Sequence, residues 1–484
     1  MSEYKKLHPI SAIINFFKGI REAIFPLIVI VFLNGNFSGG SPNWFSLGIS
    51  AVVLIGVLLS GIFRWIRFTY RIEEGELRIE YGLIFKKKRY IPIDRIQSLN
   101  FSEGIFHRPF ELVKVSVETA GGSGGKQKAE AELTAIKRSE ADELEAVIFQ
   151  EKQGHKREPD RTENGQEREL VFEMKMKDLL IMAITSGGAG VVLSGVGVFF
   201  SQIMDSLPLG MIYEQVKGWL QFGVLVIASA VFSVLLIAYG AAIIMTIFRY
   251  ANFSVFLDQD DVIITRGLLE KRQMTIPKNR IQGLRIDENL IRQPLGFASL
   301  TLISAGGSVK TEAEQQLKLF PLINRRELSK ALGRILPDYQ IDAHLKRPPR
   351  RSLRRYILRK SWLTWILAIA AAVLFWPFGV MALVVPVFFT VLGWLSYLGT
   401  GFSLVEKQLT IRNRVFSLRT YVMKKYRIQS AETAQSLFQK HAELKSVRVV
   451  MKSGAGGAQA ECLYLERTDC DSVMEWYRPD QTQA

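Results

Sequence analysis

Four stretches of this chain carry no acidic or basic residue: 23–63, 179–204, 218–248 and 361–405. A helix needs roughly 20 apolar residues to cross a bilayer. In lipid every backbone N–H and C=O must be satisfied within the segment, so stretches of this kind are helical. Residues 44–63, 179–200 and 220–248 each read as one span. Residues 23–33 are short and need extension on the loop side. The stretch 361–405 is too long for one helix. Trp376-Pro377-Phe378-Gly379 divides it, because proline withholds an N–H and glycine follows as a turn former. The reading is six transmembrane helices in three hairpins.

Each hairpin is followed by a polar block, and each block holds the same short phrase. It is Asp94-Arg95-Ile96-Gln97-Ser98 in the first, Asn279-Arg280-Ile281-Gln282-Gly283 in the second and Tyr426-Arg427-Ile428-Gln429-Ser430 in the third. Blocks one and two align without gaps at an offset of 185 residues, and block three follows block two at 147. Gly82 matches Gly267, Pro92 matches Pro277, and Pro109 matches Pro294. In block three Lys424 and His441 stand where those prolines would be, so its proline-set turns are expected to be lost. The organisation is one unit, a hairpin plus a polar domain, used three times.

Inside a block the apolar period is two. Leu77, Ile79 and Tyr81 alternate with Glu76, Arg78 and Glu80, and Val113, Val115 and Val117 alternate with Lys114, Ser116 and Glu118. That is the pattern of half-buried antiparallel strands. Blocks one and two end in helical patterns at 139–150 and 324–336. The fold class is therefore α-helical membrane hairpins plus β-rich domains of six or seven strands and a C-terminal helix. In chain order the parts are a leading segment and first hairpin (1–63), domain one (64–152), a disordered polar linker (153–169), the second hairpin (170–248) and domain two (249–337). A basic juxtamembrane connector (338–360), the third hairpin (361–401) and a diverged domain three with its tail (402–484) complete it. Residues 1–22 are read as a segment able to lie at the membrane interface, through Ile13, Ile14, Phe16 and Phe17 beside Lys18 and Arg21.

Charge sets the expected orientation. The three hairpin tips hold a single Lys, Lys217, out of 62 Lys and Arg in the chain. By the positive-inside rule both termini and all three domains face the cytoplasm of a multi-pass plasma-membrane protein. The net charge of +16 then faces the anionic inner leaflet, and the spans argue against nucleic acid as the partner. No cleavable signal peptide is evident in residues 1–20, which contain Glu3, Lys5, Lys6 and Lys18. Cys462 and Cys470 both fall in block three, where a reducing compartment disfavours a disulfide.

Block two reads Ile276-Pro277-Lys278-Asn279-Arg280-Ile281-Gln282, then Leu290-Ile291-Arg292-Gln293-Pro294-Leu295-Gly296, then Ser304-Ala305-Gly306-Gly307. Block one keeps Ile91-Pro92-Ile93-Asp94-Arg95-Ile96-Gln97, Phe106-His107-Arg108-Pro109-Phe110 and Gly121-Gly122, departing at Glu111 where block two has Gly296. These motifs resemble the bacterial pleckstrin-homology-like (PH-like) domain of the YdbS/YdbT group of membrane proteins, in its long, three-domain form. The resemblance implies a PH-like fold, a plasma-membrane location, no established catalytic residues, and a role in resistance to antimicrobial peptides. It also implies a shorter single-domain sister protein as a partner.

The remaining motifs carry little chemistry. Arg95, Arg280 and Arg427, with Gln97, Gln282 and Gln429, read first as architecture that ties a strand start to a neighbouring loop, with ligand contact as the second reading. Gly121-Gly122-Ser123-Gly124-Gly125-Lys126-Gln127 is not a phosphate loop: position 120 is Ala, Gln follows the Lys, and a glycine-rich hairpin suffices. Lys86, Lys87, Lys88 and Arg89 are either lipid-phosphate contacts or a solvated strand edge whose lysines block aggregation. Arg347, Arg350, Arg351, Arg354 and Arg355, beside the third hairpin, are the better lipid candidates. The histidines (His8, His107, His155, His344, His441) show no metal spacing, so neither cofactor nor metal is expected. The spans lack ionisable groups, which disfavours a transporter. The leading reading is a non-enzymatic scaffold or lipid-surface sensor in envelope defence. The alternative is a component of a peptide or lipid export complex.

Overall fold

A computed structural model of the chain describes residues 4–33, 44–82, 85–119, 130–152, 168–186, 224–259, 261–304, 317–376, 378–453 and 457–478. The tips of the first two hairpins, with Lys217, and the glycine-rich segments 121–125 and 306–307 lie outside the described residues.

Domain one is built from β1 (Lys5–Lys6), α1 (Ile10–Leu33), α2 (Trp44–Ile66), β2 (Thr69–Glu73), β3 (Glu76–Tyr81), β4 (Lys87–Pro92), β5 (Ile96–Glu103), β6 (Leu112–Thr119), β7 (Ala131–Lys137) and α3 (Arg138–Lys152). Domain two follows with β8 (Glu169–Glu173), α4 (Met176–Thr185), α5 (Val224–Tyr250), β9 (Ser254–Asp258), β10 (Asp261–Arg266), β11 (Lys271–Pro277), β12 (Ile281–Glu288), β13 (Phe297–Ser304), β14 (Leu317–Asn324) and α6 (Arg325–Ile335). Domain three has α7 (Leu353–Leu374), α8 (Val384–Gly399), β15 (Gly401–Val405), β16 (Gln408–Arg414), β17 (Leu418–Lys424), β18 (Ile428–Ala434), α9 (Leu437–Lys440), β19 (Leu444–Met451), β20 (Ala458–Glu466) and α10 (Arg467–Tyr477).

Each domain closes its two sheets over one core and lays its last helix against it. In the first, Leu77, Ile79, Leu99, Val115 and Leu133 meet Leu144 and Ile148 of α3. The alternation of β3 delivers this, since successive side chains leave opposite faces and Leu77 and Ile79 fall on the buried one. The second and third cores repeat the arrangement around Phe320 and Leu328, and around Val449 and Val473.

Two features of the architecture were invisible in the repeat pattern. First, strands pair across each hairpin. β1 precedes hairpin one and pairs with β2 after it, β8 precedes hairpin two and pairs with β9, and Lys346 bridges to Phe402 of β15 around hairpin three. The leading segment, the end of the polar linker and the basic connector are therefore parts of the domains they precede. Glu169, assigned above to a disordered linker, starts a strand, while residues 153–167 lie outside the described residues. Second, the sheets do not stop at domain boundaries. The order β7-β6-β5-β11-β10-β9-β8 joins domain one to domain two, and β14-β13-β12-β17-β16-β15 joins domain two to domain three.

Four helices among the described residues are long and apolar enough to cross a membrane: Gly48–Ile66, Phe232–Tyr250, Arg350–Leu374 and Gly379–Gly399. In the first hairpin residues 10–33 form one continuous helix, so the short stretch 23–33 is prolonged on its N-terminal side and residues 10–22 run directly into it. A lone Gly19 costs a helix only about 1 kcal/mol, too little to break it there. The third hairpin turns where Trp376 and Gly379 had placed the break, and α7 and α8 approach closely at Gly393, where a Cβ would stand 2.7 Å from the Ile357 Cα. Small residues allow such contacts between membrane helices.

The prolines prove dispensable at one turn. A short 3₁₀ turn precedes the second sheet in all three domains, at Ile93–Arg95, Lys278–Arg280 and Lys425–Arg427. Pro277 enters it at φ −62° and ψ 134°, and Lys424 at φ −87° and ψ 145°. That region is open to any residue, so proline only restricts what lysine reaches freely. The later turn does change: Arg108–Phe110 forms a 3₁₀ turn, whereas the third domain has α9, closed by a capping box between Ser436 and Gln439.

Glu111, Gly296 and Glu443 occupy one repeat position, and all have positive φ, at 53°, 74° and 54°. Each carbonyl accepts from the first N–H of the closing helix, at Arg138, Arg325 and Arg467. A left-handed residue other than glycine costs roughly 1–2 kcal/mol, part of which glycine forfeits through its unfolded-state freedom. Glu111→Gly and Glu443→Gly should each raise stability by about 0.5 kcal/mol, and Gly296→Ala should lower it by about 1 kcal/mol, in denaturant unfolding of the detergent-solubilised chain. A stabilising Gly296→Ala would show that this position does not demand left-handed backbone.

Candidate membrane interface

The repeated Arg-Ile-Gln phrase lands in one structural place. Arg95, Arg280 and Arg427 each end the 3₁₀ turn, and Ile96, Ile281 and Ile428 start the next strand as buried core. The arginines do not converge on a pocket. The Arg427 Nη2 donates to the Asn279 carbonyl at 2.7 Å, tying domain three to the turn of domain two. The Gln282 Nε2 returns to the Arg280 carbonyl at 3.1 Å, while Gln429 is exposed. Gln97 has its backbone in β5, and its side chain lies outside the described residues.

Lys87, Lys88 and Arg89 line the outer strand of the first sheet and Lys86 precedes it, all exposed. Lys86 and Lys88 both reach Glu80, at 2.5 and 3.3 Å. Hydrogen bonding from Lys86, helped by Lys88, holds the Glu80 carboxyl below the usual carboxylate range. Arg89 donates to the Glu130 carbonyl. Much of this cluster's charge is thus locally matched.

The basic connector divides. Lys346 pairs with Asp469, Arg351 with Glu466 at 3.6 Å, and Arg355 donates to the Phe438 carbonyl at 3.0 Å. Arg347, Arg350 and Arg354 are exposed and make no ion pair among the described residues. Arg354, Arg355, Arg359 and Lys360 belong to α7 itself, so the positive charge runs directly into an apolar helix.

A second set of residues was missed by sequence reasoning. Large apolar side chains stand exposed just after the first strand of each second sheet: Ile105, Phe106 and Phe110 in domain one, Leu290, Ile291 and Leu295 in domain two, Leu437 and Phe438 in domain three. Ile105-Phe106, Leu290-Ile291 and Leu437-Phe438 correspond at the same offsets that align the repeats. Phe438 is 82% exposed. Each knob is held beside the first helix of its own hairpin. Phe106 stacks on Phe17 of α1, with centroids 5.2 Å apart. In domain two the Asn289 Nδ2 donates to the Thr185 carbonyl at 2.9 Å, and the buried Arg292 donates to the Thr185 Oγ1 at 2.8 Å and the Met182 carbonyl at 3.2 Å, both at the end of α4. Burial makes the charged form of that guanidinium less favourable and pushes its pKa down. In domain three the bond from Arg355 of α7 does the same work. The signal was present in the sequence as an apolar pair inside a turn, recurring at both offsets.

The bacterial PH domain family profile matches residues 25–152, 218–336 and 361–481, once per repeat. The chain belongs to the bacterial PH domain family. It is similar to the UPF0699 transmembrane protein YdbT of Bacillus subtilis (strain 168), 34% identical, with 99% of this chain and 98% of the relative covered. The third match takes in its whole apolar hairpin with its domain, the first begins within hairpin one at residue 25, and the second begins within hairpin two at residue 218.

Burying an exposed Phe or Leu side chain is worth roughly 1.5–3 kcal/mol, so each knob gains from an apolar phase beside it. A nitroxide on Ile291→Cys, in the full chain in anionic nanodiscs, should collide more with oxygen than with a water-soluble nickel reagent. One on the exposed Glu327→Cys of α6 should show the reverse. Equal, water-like accessibility at both would remove the knobs from the bilayer.

Proposed function

We propose that this chain is a non-enzymatic, multi-pass platform of the plasma membrane. Six spans in three hairpins hold three PH-like domains on the cytoplasmic face, where they read the state of the inner leaflet in defence against membrane-active antimicrobial peptides. The observation that carries this reading is the threefold apolar knob beside the first helix of each hairpin. Arg347, Arg350 and Arg354, exposed and without an ion pair among the described residues, add about 1 kcal/mol each at most near an anionic surface. The partners are anionic lipids and, through the family resemblance, a shorter single-domain sister protein. Tethering supports a permanent platform over a recruited module: only Arg67 and Phe68 separate α2 from β2, and Thr400 alone separates α8 from β15. Links that short keep even weak lipid contacts occupied.

Deleting the gene should sensitise cells to at least one cationic membrane-active peptide without changing growth. The wild-type chain should restore resistance. A triple variant, Phe106→Asp, Ile291→Asp and Phe438→Asp, should restore less than half of it at equal membrane abundance. Full restoration by that variant would detach the knobs from function, and unchanged peptide sensitivity on deletion would end the defence reading.

A further inference from the structure

The two junctions between domains use the same backbone register. Asn100 faces Met274 in the first, and its repeat equivalents Arg285 and Tyr421 face each other in the second. Phe101 with Gln273 corresponds in the same way to Ile286 with Thr420, and Ser102 with Arg272 to Asp287 with Arg419. The last strand of one domain's first sheet thus always meets the first strand of its neighbour's second sheet. Three domains in a row use two such junctions and leave two complementary strands each with one edge unpaired among the described residues. They are β4 of domain one and β18 of domain three, each at the edge of its sheet.

We propose that β18 of one copy of the chain pairs with β4 of a second copy, forming a third junction in the register of the first two. This inference goes beyond the lipid reading and does not depend on it.

Exposure marks both strands as incomplete. Tyr90 of β4 is 52% exposed, whereas its equivalents Thr275 and Val422 are 2% and 0% exposed inside the formed junctions. Thr433 of β18 is exposed, whereas Phe101 and Ile286 are each at 1%. An open edge presents unpaired N–H and C=O groups to any strand of matching register. The transferred register sets Arg89 opposite Glu432, Lys88 opposite Thr433, Lys87 opposite Ala434 and Lys86 opposite Gln435. No basic residue of β4 meets another, because β18 contains neither Lys nor Arg.

Edge lysines ordinarily discourage pairing. At this position basic residues do not, because both formed junctions carry one. Lys271 lies opposite Glu103, and Arg419 lies 3.6 Å from Asp287 across the strands. The outer strands are more polar than their internal counterparts, with Ala431 and Thr433 where Leu284 and Ile286 stand. That difference suits a contact between chains that must each be soluble there when apart, since interfaces of that kind are more polar than cores. The occupant is a second copy because one chain supplies both halves, and Glu432 and Arg89 match in charge. The contact is head-to-tail.

The test uses the full chain in native membranes, with two differently tagged copies co-expressed. One carries Lys88→Cys and the other Thr433→Cys. Both changes fall on exposed residues, and the native thiols do not interfere. Cys462 and Cys470 are buried, which pushes both thiols up, that of Cys470 to about 12. Mild oxidation should give a covalent dimer carrying both tags, at least ten-fold more than when Lys87→Cys, one residue out of register, replaces Lys88→Cys. Glu432→Lys in the second copy should abolish the dimer, and Arg89→Glu in the first should restore it. No dimer, equal dimer from the out-of-register pair, or a product joining Thr433→Cys only to a different protein would each overturn the second-copy junction.

Discussion

Backbone pairing between successive domains is the constraint on which the rest of this structure depends. β12 and β17 exchange hydrogen bonds over six aligned positions and β5 and β11 over four, so each sheet is finished only by the next domain. Net contributions of about 1 kcal/mol per hydrogen bond make these junctions comparable to the stability of a small domain. Side chains reinforce them: Arg138 of α3 reaches Gln273 of β11 at 3.2 Å, and Thr275 of the same strand donates to Glu145 at 3.3 Å. The three domains are therefore tied in series by two shared sheets.

The hairpins enter this structure as insertions. A strand or bridge before each one pairs with the strand after it, so the two ends of every hairpin are clamped in the same sheet. Such a clamp fixes the height and rotation of a domain over its helices. It also explains why the knobs stay at one place in all three copies: the first helix of the hairpin, the turn and the sheet are bonded to one another. Lys346 illustrates the economy of the design, serving at once as bridge to Phe402 and ion-pair partner of Asp469. A residue of the basic connector thus holds the domain to that connector.

The basic residues divide by the same logic. Those close to the sheets, Lys86, Lys88, Arg351 and Arg355, are satisfied by carboxylates or carbonyls of their own domain. Arg347, Arg350 and Arg354 remain exposed where the chain turns into α7. Lys86–Arg89 is the denser run of charge, but two of its lysines share Glu80.

Much of the fold was legible in the sequence, because it rests on local chemistry. Uncharged stretches dictate helices in lipid, alternation at Leu77 and Ile79 dictates a half-buried strand, and a phrase recurring at fixed offsets dictates a repeated unit. The kept turn at Lys424 shows where that legibility ends: the loss of a proline forecast a lost turn, but flanking strands in register impose the turn on any residue able to reach it. The knobs at Ile105-Phe106, Leu290-Ile291 and Leu437-Phe438 were readable as letters but not as a surface, since apolar residues in a turn gain meaning only from what lies beside them. Sequence by itself determined the apolar helices, the strands, the three copies and the family. Tertiary structure alone decided that the sheets run through the domain boundaries and that two edge strands are left over. Strand pairing is made by backbone groups that every residue shares, so no pattern of side chains announces which strand will be the neighbour.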